Sequence, residues 1–448
     1  MSAFKAYDIR GIYNKDFTNE DVYKIGFFLP RLLKASKVLV GRDVRLSSDE
    51  IFSYLAKGIT DAGADVLEAG LATTPMIYWG TAFYKLDASV QITASHNPAE
   101  YNGFKVSMHD ALPVGYDNGL QQIETWIKDE PVVVSSTRGK ILPFDVKTDY
   151  LRFLSKYIPD LTGMKIAVDC SNGMAALFVK DLLGKEPVYI YDKLDGSFPN
   201  HEPNPLEQEN LHGLISTVLA QKCDIGVIYD GDADRVMFID ETGKFISPDL
   251  MIGVLAHYFA GKETGNVLQD IRTSKAVGTY VAKLGFKMNT WRVGRAYASI
   301  KLKEINGIFG GELAGHYYFR DFYYSDSGLI ASMILLKVLC DFKREGKTVS
   351  EVIRGISAYA NSGEINFRIQ DKPGAMDALK NYFAAEEIPS AVYDFDGYRL
   401  EFAEWWFNVR PSNTEPYLRF LAEAKTDELL QQKLKAVHFI MAPFLDKA

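Results

Sequence analysis

The sequence predicts an α/β protein: three tandem α/β domains, their mixed sheets covered by helices, followed by a C-terminal α+β domain. Three observations carry that prediction. At 448 residues the chain is too long for one compact core, so several domains are expected. Short apolar runs alternate with helical stretches and the alternation recurs three times, the pattern of mostly parallel sheets covered by helices. Beyond residue 358 it gives way to strands with hairpin-like turns and one closing helix.

In the first unit, Thr18 or Asn19 can cap a helix running to Lys34. KVLVGRD then reads as a strand, SSDEIFSYLAKGITDAG as a helix, and ADVLEAG and LDASVQITAS as strands. The second unit has strands KIAVDCSNG, PVYIYD and CDIGVIYD, separated by helices MAALFVKDLLG and PLEQENLHGLISTVLAQK. The third has NVLQDIR, FKMNTWRV and NGIFGGE. The apolar run LIASMILLKVLC, 329–340, is too short to span a bilayer and carries Lys337, so it is expected as a buried helix capped by Ser325, Asp326 or Ser327. A linker is expected near 358–363, where SAYANSG supplies small, turn-forming residues. The last unit holds strands GEINFRI, AVYDFDG, YRLEFAE with WWFNVRPS, and YLRFLAEA, a turn at Asp396-Gly397, and the helix DELLQQKLKAVHFIM. The expected domains are 1–142, 143–244, 245–358 and 359–448.

An apolar fraction of 47% and a charged fraction of 24% are ordinary for a soluble globular protein. A net charge of -8 argues against nucleic-acid or membrane-surface binding, both of which need a basic face, and leaves a small molecule as the expected partner. Cys170, Cys223 and Cys340 are far apart and odd in number, giving neither a disulfide framework nor a zinc site. With no apolar segment at the N-terminus to act as a secretory signal, a cytoplasmic location is expected, as a monomer or weak homodimer.

Four loops carry chemistry. The buried-strand pattern CDIGVIY stops in Asp230, Asp232 and Asp234, three carboxylates at alternate positions, an arrangement suited to a hard divalent cation, Mg²⁺ above all. An EF-hand is excluded, because its sixth position needs glycine and here holds Arg235, and the flanks are strands rather than helices. A solvated acidic turn remains the alternative. Strand ASVQI ends in Thr93-Ala94-Ser95-His96-Asn97-Pro98 and continues to Lys105. That is either an ordinary turn or a tight loop presenting Ser95 as covalent carrier, with His96 and Lys105 as proton-handling or cationic neighbours. Strand NGIF closes in GGELAGH, where glycines let a ligand approach and Glu312 can accept hydrogen bonds from hydroxyls. Arg410, Ser412, Asn413, Thr414 and Arg419 suit a phosphate dianion, or form a polar hairpin.

Taken together, TASHNP, DGDADR, GGELAGH and RPSNTEP, in this order and spacing, resemble the α-D-phosphohexomutase family, and KAYDIRG, GRDVRLS and FPNHEPNP extend the resemblance over the whole chain. It implies four domains arranged around a central cleft. It also implies a phosphoryl group on Ser95, Mg²⁺ on Asp230, Asp232, Asp234 and the Ser95 phosphoryl oxygen, sugar recognition at 310–316, and a phosphate site at Arg410, Ser412, Asn413, Thr414 and Arg419. The reaction implied interconverts mannose 6-phosphate and mannose 1-phosphate, with a hexose 1,6-bisphosphate as intermediate and activator. Glucose phosphates, or both sugars, are the alternative, and glucosamine phosphate is less favoured. Arg235 and Lys105 offset excess charge at the ion; Tyr7, Arg10, Arg42, Asp43 and Arg45 support the serine loop or are ordinary structural charges. Two positions depart from the family pattern: Ala314 replaces a hydroxyl in the sugar loop, and Arg295 stands where many relatives have histidine. A phosphatase using Ser95, and a sugar-phosphate binding protein without catalysis, are the competing expectations.

Overall fold

The computed structural model describes residues 3–412 and 417–445. Each of the first three α/β units is built on its own mixed sheet, and each sheet ends its parallel part in the same device. In the first, the strand order is Ile9–Ile12, Tyr101–Met108, Ala88–Ile92, Lys37–Arg42, Asp65–Leu71, Ile141–Pro143, and Tyr101–Met108 runs antiparallel to its neighbours. In the second, Ile166–Asp169 and Ile225–Tyr229 are parallel and Val236–Asp240 turns back beside the latter. In the third, Asn266–Asp270 and Phe309–Gly311 are parallel and Tyr317–Phe319 turns back. The serine, aspartate and glutamate loops are therefore the same hairpin connection in three successive sheets.

The expected elements form, with differences that have local causes. The first helix, Asn19–Leu33, is closed at its start by a capping box of Thr18 and Asp21. It packs so tightly on Ser48–Asp61 that a Cβ at Gly58 would stand 2.1 Å from the Tyr23 carbonyl oxygen. Segment 101–108, read only as the continuation of the serine loop, is a strand of eight residues. The stretch 205–222 is α-helical only over His212–Gln221, entered through a 3-10 turn over Gln208–Leu211. Ser327 caps the helix Gly328–Arg344, accepting from the Ile330 N–H at 3.2 Å, while Ser325–Asp326 is a short strand.

The fourth unit is an all-antiparallel sheet covered by the helices Lys372–Glu386 and Asp427–Met441. The segment expected as a linker carries the two-residue strand Ala360–Asn361, which pairs with Ala424 and Glu423. Asp396 and Gly397, in the loop between strands Ala391–Tyr393 and Tyr398–Glu401, both have positive φ, 59° and 88°. One continuous apolar core joins units one to three, running from Leu39 and Trp79 through Val168 and Tyr229 to Phe309 and Leu335. The fourth unit has a separate core around Trp405, Phe407 and Phe420. Its contacts to the third unit include polar ones, Arg399 donating to the Ile271 carbonyl at 2.9 Å and Lys275 to the Phe402 carbonyl at 2.7 Å, and the ring contact of Trp291 with Phe395, centroids 5.1 Å apart.

Candidate active site

The aspartate loop lies where three units meet, and backbone hydrogen bonds fix it on every side. The Thr74 N–H donates to the Asp232 carbonyl, Met174 N–H to Gly231, Gly328 N–H to Ala233, and Val236 N–H to Gly315. Gly231 leaves no room for a side chain, since its Cβ would lie 2.5 Å from the Ser95 carbonyl oxygen. That contact brings the serine and aspartate loops together. Ser95 is buried, has φ 52°, and donates from Oγ to Asp230 Oδ2 at 2.9 Å. Its unusual backbone is held by Arg45, whose guanidinium donates to the carbonyls of Ser95 at 2.9 Å and Tyr101 at 3.0 Å, and also to those of Asn97 and Pro98. Asp43 in turn holds Arg45, with Oδ2 3.2 Å from Nε. The GRDVRLS segment thus buttresses the serine loop.

Asp230, Asp232 and Asp234 are fully buried, and each offers an oxygen within 4.8 Å of the others. Lys105 Nζ lies 2.7 Å from Asp232 Oδ2 and also contacts Asp234, while Thr74 Oγ1 donates to Asp232. Burial, then the two neighbouring carboxylates, push the Asp230 carboxyl well above the usual carboxylate range. At Asp234, burial opposes ionisation but the neighbouring cations, Lys105 foremost, outweigh it and bring the carboxyl below its ordinary value. Among the described residues, Asp232 Oδ1 and Asp234 Oδ1 have no hydrogen-bond donor despite complete burial. Unmatched carboxylate oxygens in such a place call for a cation, and an all-oxygen donor set fits Mg²⁺.

Tyr7, Arg10, Ser95, Lys105, Asp234, Arg235, Arg295, Glu312, Ala314 and His316 line one cavity of about 190 Å³ between the first three units. Arg10 donates to Asn97 Oδ1 at 2.8 Å and pairs with Asp8. His96 Nδ1 is 3.4 Å from Ser95 Oγ, and burial, together with Arg235, Arg10 and Lys105, holds its imidazole neutral, far below its ordinary pKa. Glu312 Oε1 accepts the Gly294 N–H at 2.7 Å, and burial raises its carboxyl. Tyr7 reaches across to the Val293 carbonyl at 3.4 Å, and its phenol is pushed up to about 12 by burial and then Asp396. Arg235 Nε donates to His316 Nε2 at 2.9 Å. Nε2 is therefore an acceptor, and the imidazole proton sits on Nδ1, 2.6 Å from Asp326 Oδ2.

Two expectations sit differently in the structure. Arg295 lines the cavity, but its guanidinium is engaged by Asp326 at 3.1 Å, by the Ala111 carbonyl at 3.1 Å and by the Tyr78 ring at 3.4 Å, so it bridges the first and third units. Arg410 and Ser412 are not among the residues lining this cavity. Arg410 faces Arg419 across two antiparallel strands. Asn413 and Thr414 lie outside the described residues. Thr74, Tyr78 and Asp326 contribute to the site without a sequence signal of that role: Asp326 reads as a possible helix cap, and nothing in TTPMIY signals a partner 158 residues away.

A serine, three carboxylates and their cationic neighbours, gathered where three α/β units meet, define the class: a multidomain α/β enzyme. The chain belongs to the phosphoglucomutase/phosphomannomutase family. Its alpha/beta/alpha domain I matches residues 1–132, domain II 148–243, domain III 247–359, and the C-terminal domain 364–437. It is an isomerase, a phosphohexomutase. Phosphomannomutase of Methanocaldococcus jannaschii is 34% identical over 99% of this chain and 98% of its own length. A protein of Xanthomonas campestris named for phosphohexose mutases is 34% identical over 96% of each. A crystal structure of a phosphoglucomutase/phosphomannomutase family protein from Burkholderia thailandensis superposes with a TM-score of 0.88 at 27% identity, covering 99% of this chain and 98% of that one.

Proposed function

We propose that the protein interconverts hexose 6-phosphates and hexose 1-phosphates, with mannose phosphates as first substrate, through a phosphoryl group carried on Ser95 and a hexose 1,6-bisphosphate. The observation that carries this reading is the Ser95 hydroxyl bonded at 2.9 Å to one of three buried carboxylates, two of which have oxygens with no donor among the described residues. Asp230, Asp232 and Asp234 would hold Mg²⁺ with a Ser95 phosphoryl oxygen, and the ion would act as Lewis acid toward the phosphoryl group. The sugar hydroxyl forms a bond to phosphorus as the bond to Ser95 Oγ breaks. His316, fixed by Asp326 with its Nε2 lone pair available, accepts the hydroxyl proton once Arg235 turns to the phosphoryl oxygens. Lys105 and Arg235 offset charge in the same step. The electron pair of the broken bond stays on Ser95 Oγ; the bisphosphate then turns around, Ser95 Oγ bonds to its other phosphorus as the bond from that phosphorus to the sugar oxygen breaks, and the sugar oxygen takes the proton back from His316, leaving the isomeric monophosphate.

Arg410, Ser412 and Arg419, with Asn413 and Thr414, hold the phosphate that is not reacting. Because Arg410 and Ser412 lie off the cavity, this reading has the fourth unit swing onto the cleft, which also excludes water as acceptor. Arg295 acts as a strut rather than a sugar ligand. Glu312 takes the sugar hydroxyls, and Ala314 offers no hydroxyl of its own; glucose phosphates, or both sugars, are the second reading. The unit boundaries 1–142, 143–244, 245–358 and 359–448 belong to the same proposal. A coupled assay comparing mannose, glucose and glucosamine 1-phosphates in the presence of a bisphosphate activator tests it. Mannose 1-phosphate should give the highest kcat/KM and glucosamine 1-phosphate the lowest. Release of inorganic phosphate without isomerisation would sink the mutase reading.

A further inference from the structure

Arg410 and Arg419 face a carboxylate of their own domain. They are directly opposite residues on antiparallel strands, so both guanidiniums project from one face of the sheet. Glu364, which immediately precedes strand Ile365–Arg368 on that sheet, places its carboxylate 3.0 Å from Arg419 Nη1 and 3.8 Å from Arg410 Nη2. A third guanidinium, Arg272 of the third unit, lies near enough for its charge to act on Arg410, and its Nη2 is held by Asp270 at 2.7 Å. Burial and Arg272 both oppose the charge on Arg410, and Glu364 is the first group that supports it.

A phosphate dianion approaching these arginines meets Glu364 as a rival for the same donors. Two anions cannot share them at short range without strong repulsion. The Glu364 side chain keeps a third of its surface exposed, so it can withdraw into water at little cost. We propose that Glu364 is an internal counter-anion of the phosphate subsite, a positioning residue that gives way to the substrate phosphate and sets how tightly the subsite holds it. The proposal rests on reading Arg410, Ser412 and Arg419 as the phosphate site. A mutase has particular need of such a group, because its bisphosphate must let go of the site to turn around, and over-tight holding would slow that step.

Glu364 also adjoins the connector between the third and fourth units. Asn361 Oδ1 accepts the Gly363 N–H at 2.6 Å, and its Nδ2 donates to Glu423 Oε1 at 2.8 Å. Glu423 Oε2 accepts from Ser274 of the third unit at 2.6 Å.

Glu364→Gln keeps the size of the side chain and removes its charge. Titration calorimetry with inorganic phosphate on the full chain should show binding about threefold or more tighter than wild type, the scale of one partly exposed ion pair. KM for the hexose monophosphate and kcat should fall together, and Glu364→Asp should lie between. A folded Glu364→Gln that binds phosphate no better than wild type overturns the proposal. If that variant does not fold, Glu364→Asp must still bind phosphate more tightly than wild type, and equal binding is equally fatal. Arg410→Ala separates the two readings. If it binds phosphate as wild type does, the subsite reading itself fails; if it loses phosphate while Glu364→Gln matches wild type, only the counter-anion fails.

Discussion

Gly231 shows how the site depends on single atoms. With a Cβ only 2.5 Å from the Ser95 carbonyl oxygen, Gly231→Ala must push the serine and aspartate loops apart. Because misplacement by about 1 Å can lower a rate about a hundredfold, this variant should fold yet lose kcat on that scale, as steady-state kinetics beside circular dichroism would show. Lys105 is the cation that the aspartates hold among themselves. Lys105→Met leaves Asp232 and Asp234 with unmatched charge and should cost on the order of 3–5 kcal/mol in chelator, with much of the loss recovered when Mg²⁺ is added. Thermal unfolding with and without the ion checks this, and a recovery no larger than that of wild type would contradict it. The three aspartates stood out because carboxylates at alternate positions follow a buried-strand pattern, with a solvated acidic turn as the alternative, whereas Ser95 stood out through the order of the four motifs, since its own loop reads equally as an ordinary turn. Thr74 and Tyr78 did not, because a threonine at a helix start and a tyrosine inside a helix read as ordinary cap and core.

At the scale of elements, the strands of the parallel sheets were readable from their apolar runs. The antiparallel return strand Tyr101–Met108 was not, since YNGFK begins with turn-forming residues and its pairing partners, Ile9–Ile12 and Ala88–Ile92, are distant or reversed. Recognising that return strand reveals the repeated hairpin that sets all three loops at equivalent places. The connector to the fourth unit carries a titratable element of its own. Glu423 is buried against Ser274, Trp406 and Asn361, and burial raises its carboxyl from 4.5 to about 7. A raised carboxyl in the folded state means that the native protein holds a proton the unfolded chain releases. Its contribution is therefore complete below pH 4.5 and lost as pH rises through about 7. Glu423→Gln should flatten the pH dependence of the unfolding temperature in that window, and an unchanged slope in calorimetry would contradict the assignment.

Over the whole molecule, two bodies differ in how they are held. Units one to three share an apolar core and backbone bonds through the aspartate loop, whereas the fourth has its own core and polar contacts to the third. Motion of the fourth unit is thus expected to be rigid-body, about 358–363, with the reacting groups left in place. Arg410→Ala should raise KM strongly and lower kcat less, and should remove the decrease in radius of gyration that substrate produces in X-ray scattering. The order of four motifs made the family legible from sequence, but the placement of the phosphate arginines off the serine cavity was not, because spacing along a chain does not record where one domain sets its loops against a cavity of its neighbours.

The central claim is that Ser95 carries the phosphoryl group. Intact mass of the freshly purified protein tests it most directly. The account predicts a partial population bearing one phosphoryl group in the wild type, none in Ser95→Ala, and a loss of turnover in that variant of at least about a thousandfold. A wild-type protein that carries no phosphoryl group, gains none from a hexose 1,6-bisphosphate, and is nevertheless fully active would contradict it.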